Sequence, residues 1–128
     1  MTLHGVLTSG LGRGAGFLRI DWVRDGLRRV TGFEPYPGTL NVRLLGDDVV
    51  AAWRDVRARA ALVLTPPAPE TCGARVVPVI IAPDVAGAIV VPDITDHPDD
   101  LVEIVAATHV RSRLRLRDGD VVTLTVQA

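Results

Sequence analysis

The chain has one cysteine, no lysine and few aromatics. A lone Cys72 excludes an internal disulfide and any cysteine-cluster metal site. His4, His97 and His109 lack the HxxxH or HxH spacing of a zinc site. With aromatics at 4% of residues, aliphatic side chains must do most of the core packing. No apolar stretch approaches the roughly 18 residues of a membrane span. Met1-Thr2-Leu3-His4-Gly5 lacks the basic start and apolar core of a secretory signal, so a cytoplasmic protein without a membrane partner is expected. An excess of charge is missing too. Fourteen basic residues face 15 acidic ones, leaving a net charge of -1. That is a poor footprint for nucleic acid, which needs a basic surface, so no nucleic-acid partner is expected.

What the chain does have is aliphatic bulk. Hydrophobic residues make up 48% of 128 positions, and the mean hydropathy is +0.28. This fits a single domain over residues 1–128, a monomer or weak homo-oligomer with one real core. Val, Leu and Ile runs at 75–81 and 87–91 point to buried strands. Strands are expected at residues 3–8, 39–44, 60–64, 74–81, 87–91, 101–105 and 121–126, with residues 17–20 also extended. A helix follows Asp21 as N-cap, with Val23, Leu27 and Val30 on its apolar face and Gly32 ending it. A second helix begins at Asp47 or Asp48 and carries Val49, Val50, Trp53 and Val56 on one side. A short turn of helix covers 109–114, and Asp118-Gly119-Asp120 makes a turn. Residues 65–70 form a proline-stiffened loop. So many short strands in so small a chain imply a sheet closed on itself, a compact β-barrel with two or three short helices.

Four segments carry candidate chemistry. Ser9-Gly10-Leu11-Gly12-Arg13-Gly14-Ala15-Gly16 sets glycines at alternate positions, letting the backbone approach a phosphate and turn N–H groups toward it. No Lys-Ser/Thr follows, so it is not a Walker A loop, and a hairpin without ligand is the plain alternative. Pro35-Tyr36-Pro37-Gly38-Thr39-Leu40-Asn41 puts Thr39 and Asn41 two apart on a strand, hence on one face. They are either a hard-oxygen pair for magnesium or the polar outward face of an edge strand. Glu103 interrupts an apolar run and points opposite to Val102 and Ile104. It either faces a cleft, where it would engage an acceptor hydroxyl, or ion-pairs outward. Thr95-Asp96-His97 is a turn or a ligand contact. Arg111, Arg113, Arg115 and Arg117 alternate and are followed by Asp118 and Asp120, which reads as a solvated face.

The order of the motifs resembles the archaeal-type CTP-dependent riboflavin kinase family. The resemblance rests on Ser-Gly-Leu-Gly-x-Gly-x-x-Phe at 9–17 and Gly-Phe-Glu-Pro-Tyr-x-Gly-Thr-Leu-Asn at 32–41. Gly-Ala-Ile-Val-Val-Pro at 87–92, Thr-x-His at 95–97 and the terminal Asp-Gly-Asp complete it. It is thin only between about residues 45 and 74. It implies a six-stranded cradle-loop (RIFT-like) closed barrel. It also implies Mg2+-assisted transfer of the terminal phosphate of CTP to the 5′-hydroxyl of riboflavin, giving FMN and CDP. Nucleotide contacts then fall on Gly10, Leu11, Gly12, Arg13, Gly14 and Ala15, and on Thr108, His109, Val110 and Arg111. Metal contacts fall on Thr39 and Asn41. Flavin contacts fall on Thr95 and Glu103, with Glu103 also the catalytic carboxylate. Arg13 stands where family members often carry Glu, and Ala106-Ala107 where they carry Ala-Pro. Two alternatives keep parts of this picture. One is the same nucleotide site acting on another small alcohol, and the other is a non-catalytic swapped-hairpin-type binding barrel.

Overall fold

The computed structural model describes residues 1–9, 18–68, 73–93 and 97–127. Seven strands form one antiparallel sheet: β1 (Thr2–Thr8), β2 (Leu40–Leu44), β3 (Leu62–Leu64), β4 (Ala74–Ile81), β5 (Val85–Pro92), β6 (Leu101–Ala106) and β7 (Val121–Val126). Among the described residues three helices accompany them: α1 (Asp21–Thr31), α2 (Asp47–Ala58) and α3 (Val110–Leu114). The strand order is β3-β4-β5-β6-β2-β1-β7, and β4 also pairs with β7. That last pairing closes six strands into a barrel and leaves β3 as an appendage on the edge of β4.

Alternation decides what fills the barrel. Leu3, Leu7, Val42, Val79, Ile81, Ile89, Ile104 and Leu124 point inward and are all but inaccessible. Trp53 of α2 joins this cluster, with Val49, Val50 and Val56 beside it, as the spacing in that segment predicts. The opposite face of β4, β5 and β6 carries Val76, Ala88, Val90 and Val105. It is covered by Val23 and Leu27 of α1 together with Leu64. The barrel therefore has one core inside and a second outside, under α1.

Several boundaries differ from the sequence reading for local reasons. Asp21 is the first helical residue rather than the cap: Ile20 is the cap, and Asp21 instead pairs with Arg24 at 2.9 Å. Residues 18–20 form no strand, although Ile20 keeps extended dihedrals; Leu18 is buried in the outer cluster as the chain enters α1. Gly32 ends α1 in the left-handed region, φ 81°, and its N–H donates to the Arg28 carbonyl. Gly26 sits inside α1 because a Cβ there would lie 2.9 Å from Leu64 Cδ2. Strand β3 is shorter than 60–64, since Ala60 N–H is still bonded to the Arg57 carbonyl at the end of α2. Strand β5 is longer than 87–91 because it pairs with β4 along its whole length.

Helix α2 is held to the β5–β6 connection by Arg54 and Arg57, which both reach Asp99, at 2.9 and 3.2 Å. The Arg57 hydrogen bond, opposed by desolvation and joined by the Arg54 bond, holds the Asp99 carboxyl below its ordinary value of 3.8. A depressed carboxylate contributes stability above its unfolded value and loses it as pH falls through the folded one. Thermal melts of Asp99→Asn should therefore fall less steeply than wild type between about pH 5 and pH 3. Equal slopes for the two proteins would show that this pair carries none of the acid sensitivity.

Candidate functional site

Three polar residues converge from three strands. Thr8 on β1 is opposite Asn41 on β2, and Asn41 is opposite Glu103 on β6. Directly paired residues project to the same face, so the side chains form a row across the outer surface. Val90 of β5 continues that row at the margin of the core under α1. Asn41 is 9% exposed and is the single buried polar side chain among the described residues. That overturns the reading of Asn41 as a solvated edge residue. Glu103 is half-buried and engaged in a polar interaction, while its neighbours Val102 and Ile104 fill the barrel interior. The carboxylate is thus on the outer face of the sheet.

A cavity of about 230 Å³ opens where β2 begins, lined on the sheet side by residues that include the inward-pointing Ile104 and Ala106. Tyr36, Thr39 and Leu40 bound it on one side, Thr108, His109 and Arg111 on the other. Strand β2 starts only at Leu40, so Thr39 sits in the preceding loop and not on the strand. The loop is fastened where it matters, through Tyr36 N–H to the Ala106 carbonyl at 2.7 Å. The Tyr36 and His109 rings are 5.2 Å apart between centroids, giving the cavity an aromatic wall. His109 Nδ1 is 2.6 Å from Ser112 Oγ, which sets the orientation of the imidazole. Thr108 Oγ1 is buried without a hydrogen-bond partner. An unsatisfied buried hydroxyl costs about 1–3 kcal/mol, a deficit that a polar ligand atom in the cavity would remove.

The arginine-rich segment is not uniformly a solvated face. Arg113, Arg115 and Arg117 are exposed, but Arg111 is partly buried and turned back onto the barrel. Its Nη2 donates to Asp118 Oδ1 at 2.6 Å and to the Thr8 carbonyl at 3.3 Å. Asp118 Oδ2 accepts from Ser9 Oγ at 2.5 Å. These bonds, Ser9 first and then Arg111, hold the Asp118 carboxyl below the ordinary range. The turn that carries Asp118 is itself joined to β1, through Gly119 N–H to the Leu7 carbonyl and Leu7 N–H to the Asp120 carbonyl, both 2.8 Å.

Of the residues expected from sequence, Thr39, Thr108, His109, Val110 and Arg111 meet around one cavity, and Asn41 pairs with Glu103 on the outer face of the sheet. Gly10, Leu11, Gly12, Arg13, Gly14, Ala15 and Thr95 lie outside the described residues. Tyr36 and Asp118 were not foreseen as site residues. Tyr36 was visible only as part of a rigid turn, and Asp118 only as part of a tight one. No local pattern discloses a contact between positions 109 residues apart, as Ser9 and Asp118 are.

Comparison with known proteins adds to this geometry. The family model CTP-dep_RFKase, described as "Domain of unknown function DUF120", matches residues 7–126. A riboflavin kinase of Thermofilum pendens is 36% identical over 98% of this chain and 59% of its own length. That of Aeropyrum pernix is 42% identical over 91% of this chain and 89% of its own. That of Methanobrevibacter smithii is 34% identical, over 97% of this chain and 98% of its own. The chain thus spans under three fifths of the longer relatives, such as the Thermofilum protein, and nearly all of the shorter ones. A match over almost every described strand, joined to the closed barrel and the motif order, settles membership: the chain belongs to the CTP-dependent riboflavin kinase family.

Proposed function

We propose that this chain transfers the terminal phosphate of CTP to the 5′-hydroxyl of riboflavin, giving FMN and CDP. One observation carries the reading. Two sequence segments expected to serve donor nucleotide and metal close on a single cavity, and the third, Glu103, stands across a strand pair from Asn41. The names of the similar proteins support riboflavin as acceptor, and the family name supports CTP as donor.

The cavity is smaller than the roughly 300 Å³ at which small-molecule sites begin, so it would take one end of the nucleotide. Thr108 Oγ1 would find a partner there, and the Tyr36 and His109 rings would face a planar base. The rest of the nucleotide would run toward Thr8 and Ser9, where the glycine-rich segment begins. Arg111 would place a guanidinium beside the phosphates. Thr39 and Asn41 fit magnesium by donor type, both neutral hard oxygens, one of them on a buried amide. Magnesium held there would supply charge that offsets the phosphates during transfer. Glu103 would orient the ribityl hydroxyl and take its proton as the oxygen bonds to the γ-phosphorus and CDP departs.

Purified protein given CTP, magnesium and riboflavin should produce FMN, resolved from riboflavin by chromatography. Folded protein that makes none would sink the proposal, and CTP consumption with another alcohol alone would move the acceptor. Glu103→Gln keeps the shape but removes the base. Its kcat should drop by about 100-fold with the KM for CTP little changed. Wild-type kcat in that variant would take Glu103 out of the proton transfer.

A further inference from the structure

The terminal Asp-Gly-Asp turn has no task in the proposed reaction. The geometry points to Asp118 as a positioning residue for the donor nucleotide, acting through Arg111 and Ser9 rather than by touching CTP. The inference rests on the reading of Arg111 and the glycine-rich segment as nucleotide contacts.

Asp118 bridges the end of β1 and the Arg111 segment through its two carboxylate oxygens. Its Oδ2 accepts from Ser9, the last described residue before the glycine-rich segment, and its Oδ1 accepts from Arg111 beside the cavity. The contacts, 2.5 and 2.6 Å, are short charge-assisted or hydroxyl hydrogen bonds. The Asp118 side chain is 54% exposed, and an isolated surface pair of that kind contributes little, because ordering two side chains cancels most of the attraction. Here much of that ordering is already done. The two residues after Asp118 are bonded through their backbone to Leu7, and Arg117 N–H donates to Asp120 Oδ2 at 2.8 Å, so the carboxylate is presented from a fixed turn. Arg111 is further steadied by the Thr8 carbonyl. Without Asp118 the guanidinium is free to leave for solvent, and each nucleotide that binds must first gather it back. The preorganised arrangement would lower that cost equally in the bound ground state and in the transition state. Its signature is therefore a change in the KM for CTP, not in kcat.

An opposing effect gives the idea an edge. Asp118 is an anion near the expected path of a polyanion. If repulsion were its main influence, neutralising it would tighten CTP.

The test compares steady-state kinetics of wild type, Asp118→Asn, Asp118→Glu, Arg111→Met and the Asp118→Asn/Arg111→Met pair, with thermal melts of each. Asp118→Asn should raise the KM for CTP about tenfold, with riboflavin KM unchanged and kcat within about threefold. Asp118→Glu, which keeps the charge, should recover part of the loss. In the Arg111→Met background, Asp118→Asn should raise the KM for CTP clearly less than it does in wild type, because only Ser9 is left for it to act through. A wild-type or lowered KM in Asp118→Asn overturns the inference. So do fully multiplying effects in the double variant, or a rise in both KM values that follows a drop in melting temperature. Wild-type protein that makes no FMN brings down the proposed function, and the role of Asp118 with it. FMN from wild type with a normal KM in Asp118→Asn brings down the role alone.

Discussion

Replacing Asn41 by alanine is expected to lower FMN formation by at least about 100-fold while the barrel stays folded. Asn41 is central to the row on the outer face, between Thr8 and Glu103, near the start of a strand bonded on both sides. A buried amide in that place is expensive to keep unless something polar uses it. The proposed use is as one of two protein oxygens for magnesium, and a site with two protein ligands does not survive the loss of one. The fold is less exposed to the change. Inward neighbours Leu40 and Val42 carry the packing of β2, and alanine at 41 leaves their contacts intact. The stability cost should stay near 1 kcal/mol. FMN production and circular-dichroism melts on the same preparation separate the two effects. Full activity in Asn41→Ala would remove Asn41 from the metal site. A collapsed melt would leave the metal role to isothermal titration of magnesium into wild-type and Asn41→Asp proteins.

The second large effect concerns the barrel itself. Gly5→Ala should lower the melting temperature by about 10 °C or more. A Cβ at position 5 would lie 2.3 Å from Val42 Cγ1 and 2.7 Å from the Arg43 carbonyl oxygen. Val42 is wholly buried and β-branched, so it has no free rotamer to retreat into. The carbonyl belongs to the neighbouring strand and moves only if β1 and β2 part. Overpacking of this sort costs about 3 kcal/mol at the upper end of its usual range. The site should suffer too, since β1 carries Thr8 opposite Asn41. A melt within 2 °C or so of wild type would show that the strands can part without penalty.

Strands, helices and their inward faces were largely legible in the chain, because each rests on local regularity. Alternation at 121–126 marked β7 to the residue, and the Val49–Trp53–Val56 spacing marked the face of α2 that fills the barrel. Punctuation was read less well. Asp21 has the chemistry of a cap, yet it sits one residue inside α1, because its ion pair with Arg24 satisfies it there. The candidate site was legible as a set of segments. Thr39, Asn41, Glu103 and Thr108–Arg111 stood out by residue type and motif order, but their meaning stayed open while Asn41 had an equally simple solvated reading.

Tertiary structure decided the rest. Register placed Asn41 opposite Glu103, and only register could, since the two are far apart in the chain and belong to strands joined by hydrogen bonds rather than by a turn. Pairing of β7 with β1 brought the last turn beside Ser9, giving Arg111 and Ser9 a shared partner in Asp118. Pro35–Asn41 shows the division well. Its rigidity, its hard oxygens and its family likeness follow from covalent structure and short-range sterics, which a sequence states directly. That its asparagine is buried, that its threonine precedes the strand, and that this threonine lines a cavity with Thr108 and Arg111 depend on long-range pairing. Such pairing is the sum of many weak contacts, none of which is written at any single position.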